Sequence, residues 1–487
     1  MWQQIKYTML FFAVTMILIL SIADTSLAQA GLTTKTGSLS DGATYLMEVP
    51  VNWNGTLFLY SHGYVVPGSP NPATDVGDPA TRAFLLANGF ALAGSSYATT
   101  GWANHEALRD QIAVLDLFDS MFGHPVATIA WGHSLGGIIT AGLIQRNPKR
   151  FAAAQPMCGV LSGGVATWNT ALDGEFAFQT LLAPAAGLQL VDITNPDANL
   201  TLAEEILAGA QTTPQGRARI ALGAALSDTP GWFTPTSPEP SPTDFASQEA
   251  NQFLWDQQID FPFVFAFRAE LEARAGGNVS WNTGVDYRQQ FAKSVDRDEV
   301  WALYQTAGLS LDADLDTLNH AARIKANPNA VEYLKRNIIF DGQIDIPVLT
   351  MHTTGDGLVV VENESAYKDV VDRVDDNSNL LRQTFVDRAG HCAFTPAETI
   401  AAVETLLQRL ETGRWPSIEA NLLNGNAATL GPDFNIFEVG GVIVPVPPAF
   451  IDFTPAPYLR PFDAFTHPCF FGVGDDCSQS FSFGDAH

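Results

Sequence analysis

The sequence predicts an α/β protein: a mainly parallel sheet covered by helices on both faces, with a large helical cap insertion and a C-terminal extension. Three observations lead there. Apolar runs short enough to be buried strands (56–60, 90–97, 127–133, 346–351, 381–386) alternate with stretches of helical period (75–88, 102–122, 135–147), a rhythm that joins parallel strands by crossover helices. The rhythm stops after Cys158 and resumes near Ile346, which sets 159–345 apart as an insertion. Gly-x-Ser-x-Gly at 132–136 stands where a strand-like run ends and a helix-like run begins.

Composition bounds the possibilities. The chain has 487 residues, 46% of them hydrophobic and 16% charged, which describes a globular protein with a large core. Its formal net charge is −27 and it holds no basic cluster, which excludes nucleic acid as a partner. Lys6, the apolar run 9–22 and the small-residue site Ala28-Gln29-Ala30 read as a signal peptide over 1–30, so the chain is expected to be secreted or periplasmic. An uncleaved anchor is the competing reading, and no cysteine stands near the site to carry a lipid. Beyond the leader no apolar stretch is long enough to span a bilayer.

Taken in order, residues 43–49 alternate well enough for an early strand, which Pro50 ends. After the turn Asn52-Trp53-Asn54-Gly55, residues 56–60 form a buried strand that runs into Ser61-His62-Gly63-Tyr64. A helix over 75–88 stops at Gly89, and 90–97 is the next buried strand. A helix over 102–122 follows, then Pro125 and the strand that reaches Ser134. The helix after Ser134 ends near Arg146-Asn147-Pro148, and 151–157 is the following strand.

Within 159–345 the order is helix-like. Thr201-Leu202-Ala203-Glu204 reads as a capping box, and a Pro-rich stretch over 229–243 interrupts the helices. Trp232, Phe233, Phe253, Trp255, Phe261, Phe263, Phe265 and Trp281 are candidates to line a pocket, although such residues more commonly belong to the core. After the last strand, Thr395-Pro396-Ala397-Glu398 opens a helix that runs to about Thr412, with Gly413 as its stop. Residues 414–487 are rich in Pro, Phe and Gly, with one strand-like run at 437–446, and predict a β-rich or irregular appendage packed on the main body.

Three short motifs carry chemistry. At 132–136 the chain must reverse from strand to helix with almost no room beside the serine, which glycines two residues before and after it permit. That turn lifts the Ser134 hydroxyl above the sheet edge, and Leu135 opens a helix whose N-terminal N–H groups favour negative charge. Met351-His352-Thr353-Thr354-Gly355-Asp356-Gly357 ends a strand in a Gly-Asp-Gly turn, and Asp387-Arg388-Ala389-Gly390-His391-Cys392 follows the last strand.

On these residues, in the order serine, acid, histidine, the chain resembles the α/β-hydrolase family, as a secreted serine esterase or lipase-like member with a large helical lid. The resemblance covers most of 43–412. It implies Ser134 as nucleophile, His391 as general base and Asp356 as the acid that orients it, with Asp387 as runner-up acid. It also implies an oxyanion hole made by the backbone N–H groups of Tyr64 and Leu135, with His62 holding that loop through hydrogen bonds. No metal or organic cofactor is needed, and His62, His105, His124, His320 and His352 lack metal-ligand spacing.

The same resemblance divides the chain into a core (31–158 with 346–413), a lid (159–345) and an extension (414–487). Export permits disulfides. Cys469 and Cys477 suit a local loop, which leaves Cys158 and Cys392 on the active-site edge, where a bridge would pin the histidine loop; sequence does not choose among the pairings. The activity implied is hydrolysis of carboxylic esters through an acyl-enzyme, on a small-molecule or polymeric substrate of apolar or aromatic character. An amide- or peptide-bond hydrolase with the same triad is the alternative. A non-catalytic binding protein on this scaffold would need a broken triad, and all three positions are filled.

Overall fold

The computed structural model describes residues 31–374, 377–439 and 441–471. The leader over 1–30 and Cys477 lie outside these, so the cleavage and the Cys469–Cys477 pairing are not addressed by it. Its strands are β1 (Leu32–Ser38), β2 (Thr44–Pro50), β3 (Thr56–Ser61), β4 (Ala91–Ser95), β5 (Ala127–His133), β6 (Ala153–Met157), β7 (Val348–Gly355), β8 (Leu381–Ala389), β9 (Ile436–Val439), β10 (Val442–Pro445) and β11 (Phe450–Ile451). Nine of them form one sheet in the order β1-β2-β4-β3-β5-β6-β7-β8-β11. The six from β4 to β8 are parallel, and β1, β2 and β11 add antiparallel edges.

Side-chain alternation explains why both faces are covered. Leu57, Leu59, Ala93 and Ala130 point to one face and pack beneath the helices Asn104–Phe122 and Leu135–Arg146. Phe58, Tyr60, Leu92, Ile129 and Trp131 point to the other, under the helices Pro79–Ala87 and Pro396–Thr412. The helix Pro396–Thr412 begins on the predicted capping box, with Thr395 and Glu398 bonding reciprocally, and ends at Gly413 in the left-handed region.

Between the neighbouring strands β6 and β7 the chain leaves the sheet for a run of helices with a hydrophobic cluster of its own, built on Leu172, Phe176, Leu222, Phe265 and Tyr304. Its first segment, with Val160, Leu161, Val165 and Trp168, packs on the main core. The expected capping box at Thr201 is not used. The helix starts earlier, at Pro196, because Asn195 accepts from the Ala198 N–H and the proline presets the first turn, which leaves Thr201 inside the helix.

Two further expectations are corrected. The strand-like run 437–446 is a hairpin of β9 and β10 rather than one strand. Strand β8 continues to Ala389, so Asp387 is an exposed strand residue whose N–H donates to the Ala449 carbonyl. It is not placed to act as the acid. The extension packs on the main body, as expected. The helix Ala420–Thr429 inserts Leu423 and Ala427 into the core, and β11 pairs Phe450 with Val386. The chain then crosses to the insertion, where Tyr458, Leu459 and Phe462 are buried and Arg460 pairs with Asp173 at 3.0 Å. Among the described residues no helix is long and apolar enough to cross a membrane.

Candidate active site

Register brings the motif residues to one edge of the sheet. His133 pairs with Met157, Met157 with Met351 and Gly355 with Ala389, so β5, β7 and β8 end side by side and release Ser134, Asp356 and His391 together. Ser134 has φ +59° and ψ −122°, a left-handed conformation that a non-glycine residue holds only under constraint. Its N–H donates to the Met157 carbonyl at 3.0 Å. A Cβ on Gly132 would lie 2.4 Å from the Ser61 oxygen and one on Gly136 only 1.9 Å from it, which is why both positions are glycine.

The three side chains form a line. His391 Nε2 lies 2.7 Å from Ser134 Oγ, and His391 Nδ1 lies 2.8 Å from Asp356 Oδ2. Asp356 is fully buried, and its Oδ1 accepts the backbone N–H groups of Leu358 (3.1 Å) and Val359 (3.0 Å). Burial works to raise its carboxyl, but the His391 ring, with His352 on the other side, outweighs burial and holds it below the ordinary carboxylate range. An ionised Asp356 accepts the Nδ1–H of His391 and leaves Nε2 as the acceptor for the serine hydroxyl.

Tyr64 and Leu135 border the same space as Ser134. Leu135 is the first residue of its helix, so its N–H has no intrahelical acceptor. The preceding loop is fixed from behind. His62 Nδ1 donates to the Gly63 carbonyl at 2.7 Å, its ring stacks on Tyr97 at 3.9 Å, and the Tyr97 hydroxyl donates to the His62 carbonyl. Cys158 and Cys392 are bridged, with Cα atoms 5.3 Å apart, which ties the histidine loop to the end of β6.

A cavity of about 130 Å³ opens at Ser134. Its aromatic walls are Tyr64, Trp102, Trp168, Phe178, Phe261 and Phe263, with Tyr458 of the C-terminal extension. Of the pocket candidates read from sequence, only Phe261 and Phe263 are among these. Trp232, Trp255, Phe265 and Trp281 are core residues, Phe253 packs on the insertion's cluster, and Phe233 packs edge-on against Trp255. Trp102 and Trp168 pack edge-to-face at 5.7 Å, a pair separated so far along the chain that no local pattern announces it. Glu175 and Asp256 also line the cavity, and burial pushes each up to about 8, for Glu175 against the pull of the buried Arg268 at 3.6 Å. Among the described residues no group of three or more His, Cys, Asp or Glu is arranged to hold a metal ion.

No family model matches the chain. An o-phthalyl amidase from Xanthobacter agilis is 30% identical over 452 residues, which span 85% of this chain and 95% of the amidase. An esterase from Aspergillus oryzae superposes at 15% identity with a TM-score of 0.39, covering 79% of this chain and 80% of its own. Feruloyl esterase B from Aspergillus oryzae gives 11% identity and a TM-score of 0.36 over 79% and 82% of the two chains.

Proposed function

Because the chain belongs to the α/β-hydrolase family, we propose that it is an exported serine hydrolase that cleaves carboxylic esters through Ser134, His391 and Asp356. The observation that carries this reading is the unbroken hydrogen-bonded line from Ser134 Oγ to Asp356, opening on an aromatic cavity. His391 Nε2 takes the hydroxyl proton as Oγ attacks the acyl carbon, and Asp356 stabilises the imidazolium that forms. The N–H groups of Tyr64 and Leu135 bind the developing oxyanion. His391 returns the proton to the leaving group, and water, activated by the same ring, releases the acyl-enzyme. The helical segment 159–345 serves as the lid over 31–158 with 346–413, and the 414–471 part of the extension braces it through Arg460. The Cys158–Cys392 bridge is compatible with an oxidising compartment.

The cavity supports an aromatic acyl group. An apolar cavity of about 150 Å³ accepts a benzene ring, and this one is of similar size with seven aromatic residues in its walls. Amide cleavage is the second reading, favoured by the o-phthalyl amidase relative. A fluorophosphonate probe is expected to label Ser134 alone, and Ser134→Ala or His391→Ala to lose up to about 10⁶-fold in kcat on phenyl benzoate. Wild-type-like turnover by either variant would end the triad reading. Comparing phenyl benzoate with benzanilide then separates the bond types. An anilide kcat/KM within about tenfold of the ester's assigns an amidase, and a deficit beyond about 10³-fold assigns an esterase.

A further inference from the structure

Behind the triad lies a second histidine that the mechanism above does not use. His352 stands on β7, four residues before Asp356, and is fully buried. Both of its ring nitrogens face oxygens, one of a carboxyl group and one of a backbone carbonyl. Nδ1 lies 3.2 Å from Glu364 Oε1, and Nε2 lies 2.7 Å from the Val359 carbonyl and 3.6 Å from Asp356 Oδ2. A neutral imidazole carries one N–H, so in that form one nitrogen lone pair would be pressed against an oxygen lone pair in a site without water access. With Glu364 ionised, only the imidazolium satisfies both contacts. Glu364 is itself fully buried and held on its far side, where Oε2 accepts from the Thr350 hydroxyl (2.5 Å) and the Gln383 amide (2.6 Å).

We propose that His352 is a protonated positioning residue of this active site, paired with Glu364, whose charge beside Asp356 keeps His391 unprotonated, and the hydrolase active, into mildly acid solution. The inference rests on the reading of Ser134, His391 and Asp356 as the triad. The physics is one of alternating charge. Asp356 alone would stabilise protonated His391 in the resting enzyme and withdraw the base as pH falls. A cation on the other side of the carboxylate weakens that pull. When His391 does take the serine proton, the buried row Glu364, His352, Asp356, His391 becomes electrically neutral.

The surroundings of the ring agree. The groups facing His352 are Asp356 from the end of its own strand and Glu364 and Glu362 from the helix Glu362–Asp372. Farther out, Asp260 of the insertion and His391 face Asp356, and Asp228 and Asp296 face Glu362. From β8 the contacts to Glu364 are uncharged. Burial lowers the imidazole's proton affinity, but the hydrogen bonds and charges of Asp356 and Glu364 exceed it and bring His352 up to about 10.

Two measurements on the full chain test this. In ¹³C,¹⁵N-histidine-labelled protein, the His352 imidazole, assigned through bonds from its own backbone amide, is expected to carry protons on both nitrogens at pH 8. A singly protonated ring there overturns the proposal, without reference to activity. In His352→Gln, whose amide keeps a donor but no charge, the acid limb of kcat/KM is expected to move up by about one pH unit, with activity above the limb largely kept. A uniform loss at every pH with the limb unmoved would make His352 a structural plug and overturn the proposal. Should the variant not fold, the charge state in the wild-type protein decides alone. Failure of fluorophosphonate labelling at Ser134 would sink the hydrolase reading separately, since the nitrogen resonances report on His352 whatever the enzyme cleaves.

Discussion

At Gly136 the helix Leu135–Arg146 passes so close to β3 that an added Cβ would lie 1.9 Å from the Ser61 carbonyl oxygen and 2.9 Å from that of His62. Both obstacles are backbone, so no side-chain rotation relieves them. The displaced segment would be Ser61–Tyr64, which carries one of the two N–H groups proposed to meet the oxyanion. Gly136→Ala is therefore expected to cost about 1–3 kcal/mol of stability and, through a misplaced donor, about 10²- to 10³-fold in kcat. Gly142, one and a half turns farther along, is the control. There an added Cβ meets the side chains of Ile338 and Leu108 and no backbone of the 61–64 segment, so Gly142→Ala should leave kcat within about twofold and change stability by less than about 1 kcal/mol. Thermal melts with kcat on one ester check both variants, and an unimpaired Gly136→Ala would show that the 61–64 segment is not held by this contact.

At the level of elements, the Cys158–Cys392 bridge joins the end of β6 to the histidine loop after β8, across 234 residues of chain. Its removal as Cys158→Ser/Cys392→Ser is expected to lower stability by about 2–5 kcal/mol. It should also lower kcat more than it raises KM, because what loosens is the loop that carries His391. A loss in KM alone would show that the bridge serves the cavity and not the base. The bridge also marks where sequence ran out. Central strands were legible because strands buried on both faces read as unbroken apolar runs closed by Gly or Pro, as in 56–60 and 127–133. The helix at Thr395 was legible because its cap is wholly local. Strand β1 was missed, since its residues Thr33 to Thr36 are polar and exposed and it exists only by pairing with β2. β11 has two residues and borrows its register from β8. The order of Ser134, Asp356 and His391 could be read from three turns, whereas the His352–Glu364 pair spans a strand end and a helix that no short motif links. Trp102 and Trp168 were invisible as pocket walls because the insertion folds back over the sheet before they meet.

Across the whole molecule, folding buries carboxyl groups that keep their protons. Burial raises Glu299 to about 9, Asp256 and Glu175 to about 8 and Asp110 to about 7, and it raises Glu362 as well. In the unfolded chain each would ionise near 4, so between there and its raised value the folded state holds a proton that the unfolded state has lost. Such a group contributes stability that is complete at low pH and is lost as pH rises through its folded value. His352, raised to about 10, acts in the same direction above about 6.5. Against these stand His133, which burial and the neighbouring His391 push down to about 4, so that its contribution fades as pH falls from about 6.5 toward 4, and Asp356, held low, whose contribution is lost only at lower pH still. The formal charge of −27 adds self-repulsion on the alkaline side. Melting temperature at fixed ionic strength is therefore expected to peak at about pH 5–6 and to fall steadily toward pH 9; a Tm that climbs from pH 6 to 9 would contradict this account. The proposed mechanism makes the opposite demand, since in it His391 must be unprotonated to accept the Ser134 proton. A hydrolase with an ordinary triad would be most stable where its base is least available. The cation proposed behind Asp356 would oppose protonation of that base by charge, so in His352→Gln the two pH optima should draw apart.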